Sequence, residues 1–188
     1  DGWQLRFHGN DPVLNVFTIT VNDFNALRSA VGGNQLFFDV PHGSFVLLNI
    51  IGSGVVDLSF NTINYAENQQ AQGAGADSEY ILYNIPDAND VHSNGRKGTI
   101  FAPNSIVQAI GGHVEGQIIA KGFDGDSEIG YIAFAGEDVI ATALNDMDPD
   151  PSSISGTIFT DTNRDGHQDV GEEGVEDIVV TLYDDEDN

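Results

Sequence analysis

Seven short runs are rich in β-branched and aromatic residues: Phe17 to Val21, Leu36 to Val40, Phe45 to Ile50, Val55 to Phe60, Tyr80 to Ile85, Thr99 to Ala102 and Gln117 to Lys121. Side chains of this kind lose χ1 freedom in a helix and pack well on a pleated surface, so each run reads as a strand. Phe45-Val-Leu-Leu-Asn-Ile-Ile51 is apolar on both faces, a pattern that belongs to parallel sheets buried on both sides. Strand starts at 17 and 36, at 80 and 99, and at 99 and 117 lie nineteen, nineteen and eighteen residues apart, and 36 to 80 is about two such steps. That recurrence predicts an all-β chain with the coils of a parallel β-solenoid, in which each rung buries its apolar side chains by stacking on its neighbours. An antiparallel sandwich is the alternative. The one helical stretch is Asn22 to Val31, where an Asn/Asp start precedes Phe24, Leu27 and Val31.

The domain plan follows from composition. Residues 1–142 read as the solenoid-like domain, and Ala143 to Ser153, with Pro149, Pro151 and three acids, as an extended linker. Residues 154–188 read as a second, incomplete module. Ala66 to Asp77 is small and polar and reads as a loop. Thirty acidic against six basic residues give a net charge of -24, which repels nucleic-acid phosphates and anionic lipid surfaces. From Glu137 onward there are sixteen acidic residues and one basic one, Arg164. With no cysteine there is no disulfide framework and no thiolate metal site. No apolar run approaches eighteen residues and no signal peptide is present, so the chain reads as a mature or excised piece.

The second module carries the sharpest motif. Asp161-Thr-Asn163-Arg-Asp165-Gly166-His167-Gln168-Asp169-Val-Gly-Glu172 fits the twelve-residue calcium loop D-x-[DN]-x-[DN]-G-x5-E. Ca2+ takes six to eight oxygens, and the spacing offers side-chain oxygens from Asp161, Asn163, Asp165 and Asp169, the His167 carbonyl, and a bidentate Glu172, with Gly166 at the sharp turn. The flanks Ile154 to Phe159 and Val175 to Tyr183 read as strands, so the loop is expected to be a rigid clip and not the switch of a helix-loop-helix sensor. An Asp/Asn-rich turn that binds only water is the alternative.

Two resemblances attach to these residues. GTIFTDTNRDGHQDVGEEGVEDIVVTLYD, within Ser152 to Asn188, is similar to the opening of SdrD B-like modules, calcium-binding β-sandwich spacers of bacterial cell-surface proteins. The resemblance implies a Ca2+ cofactor, and the chain stops after what would be the second strand. The words Asn15 to Phe17, Val46 to Ile50, Ile81 to Asn84, Gly98 to Asn104 and Gly116 to Ala120 resemble the C-terminal half of the choice-of-anchor A domain of secreted bacterial proteins, with Phe101 in place of the usual aliphatic residue. That resemblance implies an adhesive role. In the same words Pro103 is expected to end a strand at a corner, and Asn49, Asn84 and Asn104 to stack as a ladder at equivalent corners.

Catalytic constellations are absent: there is no G-x-S-x-G and no H-E-x-x-H, and the five histidines lack metal spacing. Asp124, Asp126 and Glu128 read as a solvated loop, and Gly32-Gly33 and Gly111-Gly112 as turns. One T-x-T, Thr18 to Thr20, is too little to template an ice lattice. Trp3, Tyr65, Tyr80, Tyr83 and Tyr131 read as core, with a sugar-binding surface as the alternative. The sequence therefore predicts a non-enzymatic, secreted or surface-displayed bacterial adhesin or matrix scaffold with a calcium-stiffened spacer. Its partner is expected to be a host, surface or matrix ligand, with neither nucleic-acid binding nor membrane insertion. Self-association through unpaired strands, as a fibre or sheet subunit, and a carbohydrate-binding module are the alternatives.

Overall fold

Leu5, Leu36 and Ile63 stand one above another as parallel partners in the computed structural model, and their stacking sets the axis of the molecule. The structure describes residues 2–66, 77–94, 97–147, 159–164 and 166–175. The first coil runs β1 (Gln4–His8), β2 (Leu14–Thr20) and α1 (Val21–Ala30). The second holds β3 (Gln35–Asp39), β4 (Phe45–Ile51) and β5 (Val55–Asp57), and the third β6 (Thr62–Tyr65), a 3-10 turn at Ser78–Tyr80, β7 (Ile81–Asn84) and β8 (Asp90–Ser93). Shorter coils follow with β9 (Thr99–Ala109), then β10 (His113–Glu115) and β11 (Ile118–Gly125), then β12 (Glu128–Gly130).

Every pairing between these strands is parallel, which makes this part of the chain a curled parallel β-solenoid. It has three faces. The first stacks β1, β3 and β6, with β10 and β12 further along the chain. The second stacks β2, β4, β7 and the opening halves of β9 and β11. The third stacks β5, β8 and the closing halves of β9 and β11. In the first coil α1 takes the place of a strand on this third face and packs against β5.

Coil length departs from the near-twenty recurrence at one end. Tyr83 pairs with Ile100 and Ile100 with Ile118, seventeen and eighteen residues on. Leu5, however, pairs with Leu36, thirty-one residues on, and Leu48 with Tyr83, thirty-five on. The step from Phe17 to Leu36 joins two different faces and is not a coil. The physical reason is insertion: α1 lengthens the first coil, and the stretch between β6 and β7 lengthens the third.

The core explains the double-sided apolar runs. Phe38, Leu48, Tyr83 and Val56 point inward from the three faces and are almost fully buried, each contributing about 1.5–3 kcal/mol of hydrophobic transfer. Phe24 of α1 meets Phe60 edge-on at 6.1 Å between ring centroids. The helix begins one residue before the predicted start, because Thr20 is its N-cap. Thr20 Oγ1 accepts from Asp23 N at 3.1 Å and donates to the Asp23 carboxylate at 2.7 Å.

Pro103 marks a corner as expected, although β9 continues through it. Residues Thr99 to Phe101 pair with β7 and Ile106 to Ala109 with β8, so the bend at 103–105 carries one strand across two faces. Ser105 Oγ at that bend donates to Ala88 O and is fully buried. The asparagine ladder is partly corrected. Asn49 and Asn84 are register partners, but within strands and not at corners, while Asn104 is spent on Pro86 O.

The chain divides into two compact units, Asp1–Met147 and Asp148–Asn188. A second helix, α2 (Glu137–Met147), was not foreseen, and it takes in Ala143 to Met147, which the sequence reading placed in an extended linker. Glu137 and Asp138 in its first turn suit the positive helix N-terminus. The rest of that linker, like the ten residues 67–76 of the expected loop, lies outside the described residues.

Candidate functional site

Strand alternation turns one set of side chains on the second face outward. Val16, Leu47, Leu82 and Thr99 form one row across the strands, and Thr18, Asn49, Asn84, Phe101 and Ile119 the next. Val16, Leu47 and Leu82 are successive neighbours in the first row and Phe101 and Ile119 in the second, with Ile51 one row further on; Val16, Ile51, Phe101 and Ile119 are 53%, 41%, 37% and 48% exposed, so this sheet side, which faces away from the core, carries an apolar patch. Scattered exposed apolar residues are ordinary, but a contiguous strip marks a contact surface. Asn84 Nδ2 donates to Asn49 Oδ1 at 2.8 Å, and Asn49 Nδ2 reaches Thr18 Oγ1 at 3.4 Å, so amides cross the middle of the strip. Thr18 and Thr20 do point outward, but their partners on β4 are Asn49 and Ile51, so no rank of threonines runs along the face.

After β12 the chain returns over this face. Phe134 N donates to Gln117 Oε1 at 3.3 Å, Ala135 N donates to Glu79 O at 2.9 Å, and the Phe134 ring meets Phe45 edge-on at 5.6 Å. These contacts anchor the start of α2. Phe134, Glu137, Ile140 and Ala143 then share a cavity with Leu47, Leu82, Phe101 and Ile119 of the sheet.

The first face is polar outside. His8 Nδ1 lies 3.0 Å from Asp39 Oδ2, and Arg6 reaches the same oxygen at 3.1 Å while its guanidinium lies 4.6 Å from the Phe37 ring centre. The His8 hydrogen bond, with Arg6 adding to it, holds the Asp39 carboxyl below the usual carboxylate range against a smaller opposing effect of burial. Of the aromatic candidates, Tyr65 and Tyr83 are buried. Burial raises the Tyr65 phenol to about 12, and the group donates to Ser44 O; Tyr83 is raised further and donates to Lys97 O. Trp3 and Tyr131 are exposed, but Trp3 adjoins the first coil and Tyr131 follows the last, so they do not share one platform.

In the second unit the acidic loop is closed at its base by an antiparallel bridge between Phe159 and Gly174, with Thr160 N donating to Glu173 O at 3.1 Å. Asp161 Oδ1 accepts from Arg164 N at 2.6 Å and Oδ2 from Gly166 N at 2.9 Å. Asn163 Nδ2 donates to Asp169 Oδ2, and Glu172 accepts from Thr162 N and Asp169 N at 2.7 and 3.1 Å. Gly166 has φ +81°, the left-handed turn that the motif asks of it. Asn163, Asp169 and Glu172 are thus linked, Asp161 caps the turn through Arg164 and Gly166, and Asp165 lies outside the described residues. His167 is exposed. The carboxylates face backbone N–H groups, and among the described residues no three His, Asp or Glu side chains converge as a metal-binding group. The flanking strands beyond Phe159 and Val175 also lie outside the described residues.

Residues 1–131 match the family model described as "Putative Ice-binding-like adhesive domain". The chain belongs to this family. The match ends one residue past β12, so the coils constitute the ice-binding-like adhesive domain, and α2 and the acidic loop lie beyond it. Membership gives the domain an adhesin-type function. No curated protein and no solved structure matches the chain. No helix among the described residues is long and apolar enough to cross a membrane.

Sequence reasoning missed β1, β6, β8, β10, β12 and α2. The signals were present in Leu5/Phe7 and Ile63/Tyr65 alternation and in Val139, Ile140 and Ala143 at helical spacing, but each run is short and mixed with polar residues. Asp124, Asp126 and Glu128 do not form a cluster for acid-base work: Asp126 Oδ1 accepts from Gly111 N, and Glu128 lies 3.4 Å from His113.

Proposed function

We propose that this chain is part of an extracellular bacterial adhesin or matrix scaffold that attaches through the outer side of its second face and carries a calcium-stiffened spacer behind it. The observation that carries the reading is the apolar strip Val16, Ile51, Phe101 and Ile119 on the outside of a stacked parallel sheet in a member of an adhesive family. Stacked parallel strands hold direct register partners such as Phe101 and Ile119 about 4.8 Å apart, so this part of the face is preorganised and loses little entropy on contact. The role is associative, without catalysis. The choice-of-anchor A and SdrD B-like resemblances supply the finer reading: a secreted module, with Asp161, Asn163, Asp165, the His167 carbonyl, Asp169 and Glu172 holding Ca2+. The donor types and their order suit a hard cation, and the Gly166 turn supports the fit. Binding requires the Asp161 and Glu172 oxygens to exchange backbone N–H partners for the ion.

Beads carrying the full chain, passed over alkyl-terminated and hydroxyl-terminated surfaces, test the attachment. Retention on the alkyl surface is expected, and Phe101→Asp combined with Ile119→Asp should reduce it by at least about tenfold, the equivalent of burying roughly 55 Å² of apolar surface. Retention unchanged in a variant whose circular dichroism matches the parent would refute the face assignment.

A second reading has one observation in its favour: β1 and β2 are terminal members of their sheets, each pairing with a single neighbour. Open edges recruit strands, so end-to-end association of copies is the alternative. Sedimentation of the full chain separates the two, since a subunit polymerises without a second component.

A further inference from the structure

The space between α2 and the second face is a cavity of about 520 Å³, within the size range of small-ligand pockets. Its walls are apolar, with Leu47, Leu82, Phe101 and Ile119 on the sheet and Phe134 and Ile140 on the returning arm. Thr99 lies on the sheet side. It belongs to the outward row with Val16, Leu47 and Leu82, is 2% exposed, and its Oγ1 is buried without a hydrogen-bond partner. A buried hydroxyl left unpaired is unfavourable, and a strand residue that faces an apolar cavity could have been valine at no cost in shape. Asn84 lines the same cavity and spends its amide N–H on Asn49, which leaves its Oδ1 to accept from a further donor.

Three features define the occupant. Apolar walls ask for an apolar body. Asn49 and Gln117 on the same lining are already hydrogen-bonded within the protein, so the Thr99 hydroxyl and the Asn84 carbonyl oxygen ask for one compact hydrogen-bonding head, and a sugar ring would bring more hydroxyls than they can satisfy. Glu137 on the cavity wall, in a chain of net charge -24, disfavours an anion.

We propose that this cavity is a binding site for a neutral amphiphile, an alkyl or ring body with a single hydroxyl or amide head that pairs with Thr99 Oγ1 and Asn84 Oδ1. The site goes beyond attachment and does not rest on it, since a ligand held under α2 can occupy the domain whether or not the exposed strip adheres to a surface.

Titration of the isotope-labelled full chain with 1-octanol, followed by amide chemical shifts, tests the site. Saturable shifts confined to the neighbourhood of Thr99, Phe101, Ile119 and Ile140 are expected. Octanoate at neutral pH, with the same body and a charged head, should bind at least about tenfold more weakly. Thr99→Val should weaken octanol by about tenfold, the equivalent of one hydrogen bond. Ala143→Trp, which fills the cavity from the helix side without touching the solenoid core, should abolish the shifts. Shifts that fail to saturate or spread over the whole surface, equal binding of octanol and octanoate, or unchanged binding in Ala143→Trp would overturn the proposal. Phe101 and Ile119 belong to both the strip and the cavity wall, so the two readings are separated by Thr99→Val and Ala143→Trp, which leave the strip side chains in place: loss of octanol shifts with alkyl attachment kept reports on the cavity alone.

Discussion

Asn84 Nδ2 donates to Asn49 Oδ1 at 2.8 Å, and the two residues are parallel register partners on neighbouring coils, thirty-five positions apart in sequence. The bond runs along the stacking axis and ties the second coil to the third on the face that carries the apolar strip. Asn49→Ala and Asn84→Ala should each lower stability, and the double mutant should lose less than the sum. A double-mutant cycle in urea is expected to give a coupling of about 0.5–1.5 kcal/mol. Full additivity would show that the amides are solvated independently.

Gly98 and Gly116 each open one of the recurrent sequence words, and the structure shows why. A Cβ on Gly116 would run into the Gly98 carbonyl of the coil before it, and Gly98 itself has φ +108° with Ile81 and Tyr83 beneath it. Gly116→Ala should therefore force adjacent coils apart and cost about 1–3 kcal/mol. A thermal midpoint lower by about 2–4 °C for each kcal/mol is the expected reading. An unchanged midpoint would mean that the corner has slack.

Glu172 accepts from both Thr162 N and Asp169 N, which places its carboxylate across the mouth of the acidic loop. Calorimetry on the parent should show calcium binding in the roughly 10^-4 to 10^-3 M range of extracellular modules. Glu172→Ala should lose that heat. Binding that persists in the variant would place the ion elsewhere.

Asp39 is held as a carboxylate by His8 and Arg6, so its folded pKa lies below the unfolded one. Its contribution to stability is complete above the ordinary carboxylate pKa of about 3.9 and is lost as pH falls through the lower folded value. Carbon-detected titration should show Asp39 titrating below the ordinary carboxylate value, and His8→Ala should move it upward. A normal Asp39 midpoint in the parent would remove this source of acid sensitivity.

The parallel solenoid was legible because apolar runs on both strand faces, such as Phe45 to Ile51, demand burial on both sides, and the later coils keep a spacing of fifteen to eighteen residues. The Gly32, Gly33, Gly111 and Gly112 turns were legible from backbone sterics alone, and all four have positive φ. The short strands β1, β6, β8, β10 and β12 were not, because three to five residues carry too little periodicity and are held in place by neighbouring coils. The position of α1 on the third face could not be read either: the helical pattern predicts that Asn22 to Val31 coils, not which strand the helix replaces. The calcium-type motif is local, twelve consecutive residues, so the sequence alone determines which donor groups the loop offers. Which side of each strand faces out, that buried Thr99 lines the same cavity as Asn84, and that Phe101 and Ile119 stand side by side on the outside are decided only by register, since a shift of one residue would turn all of them inward.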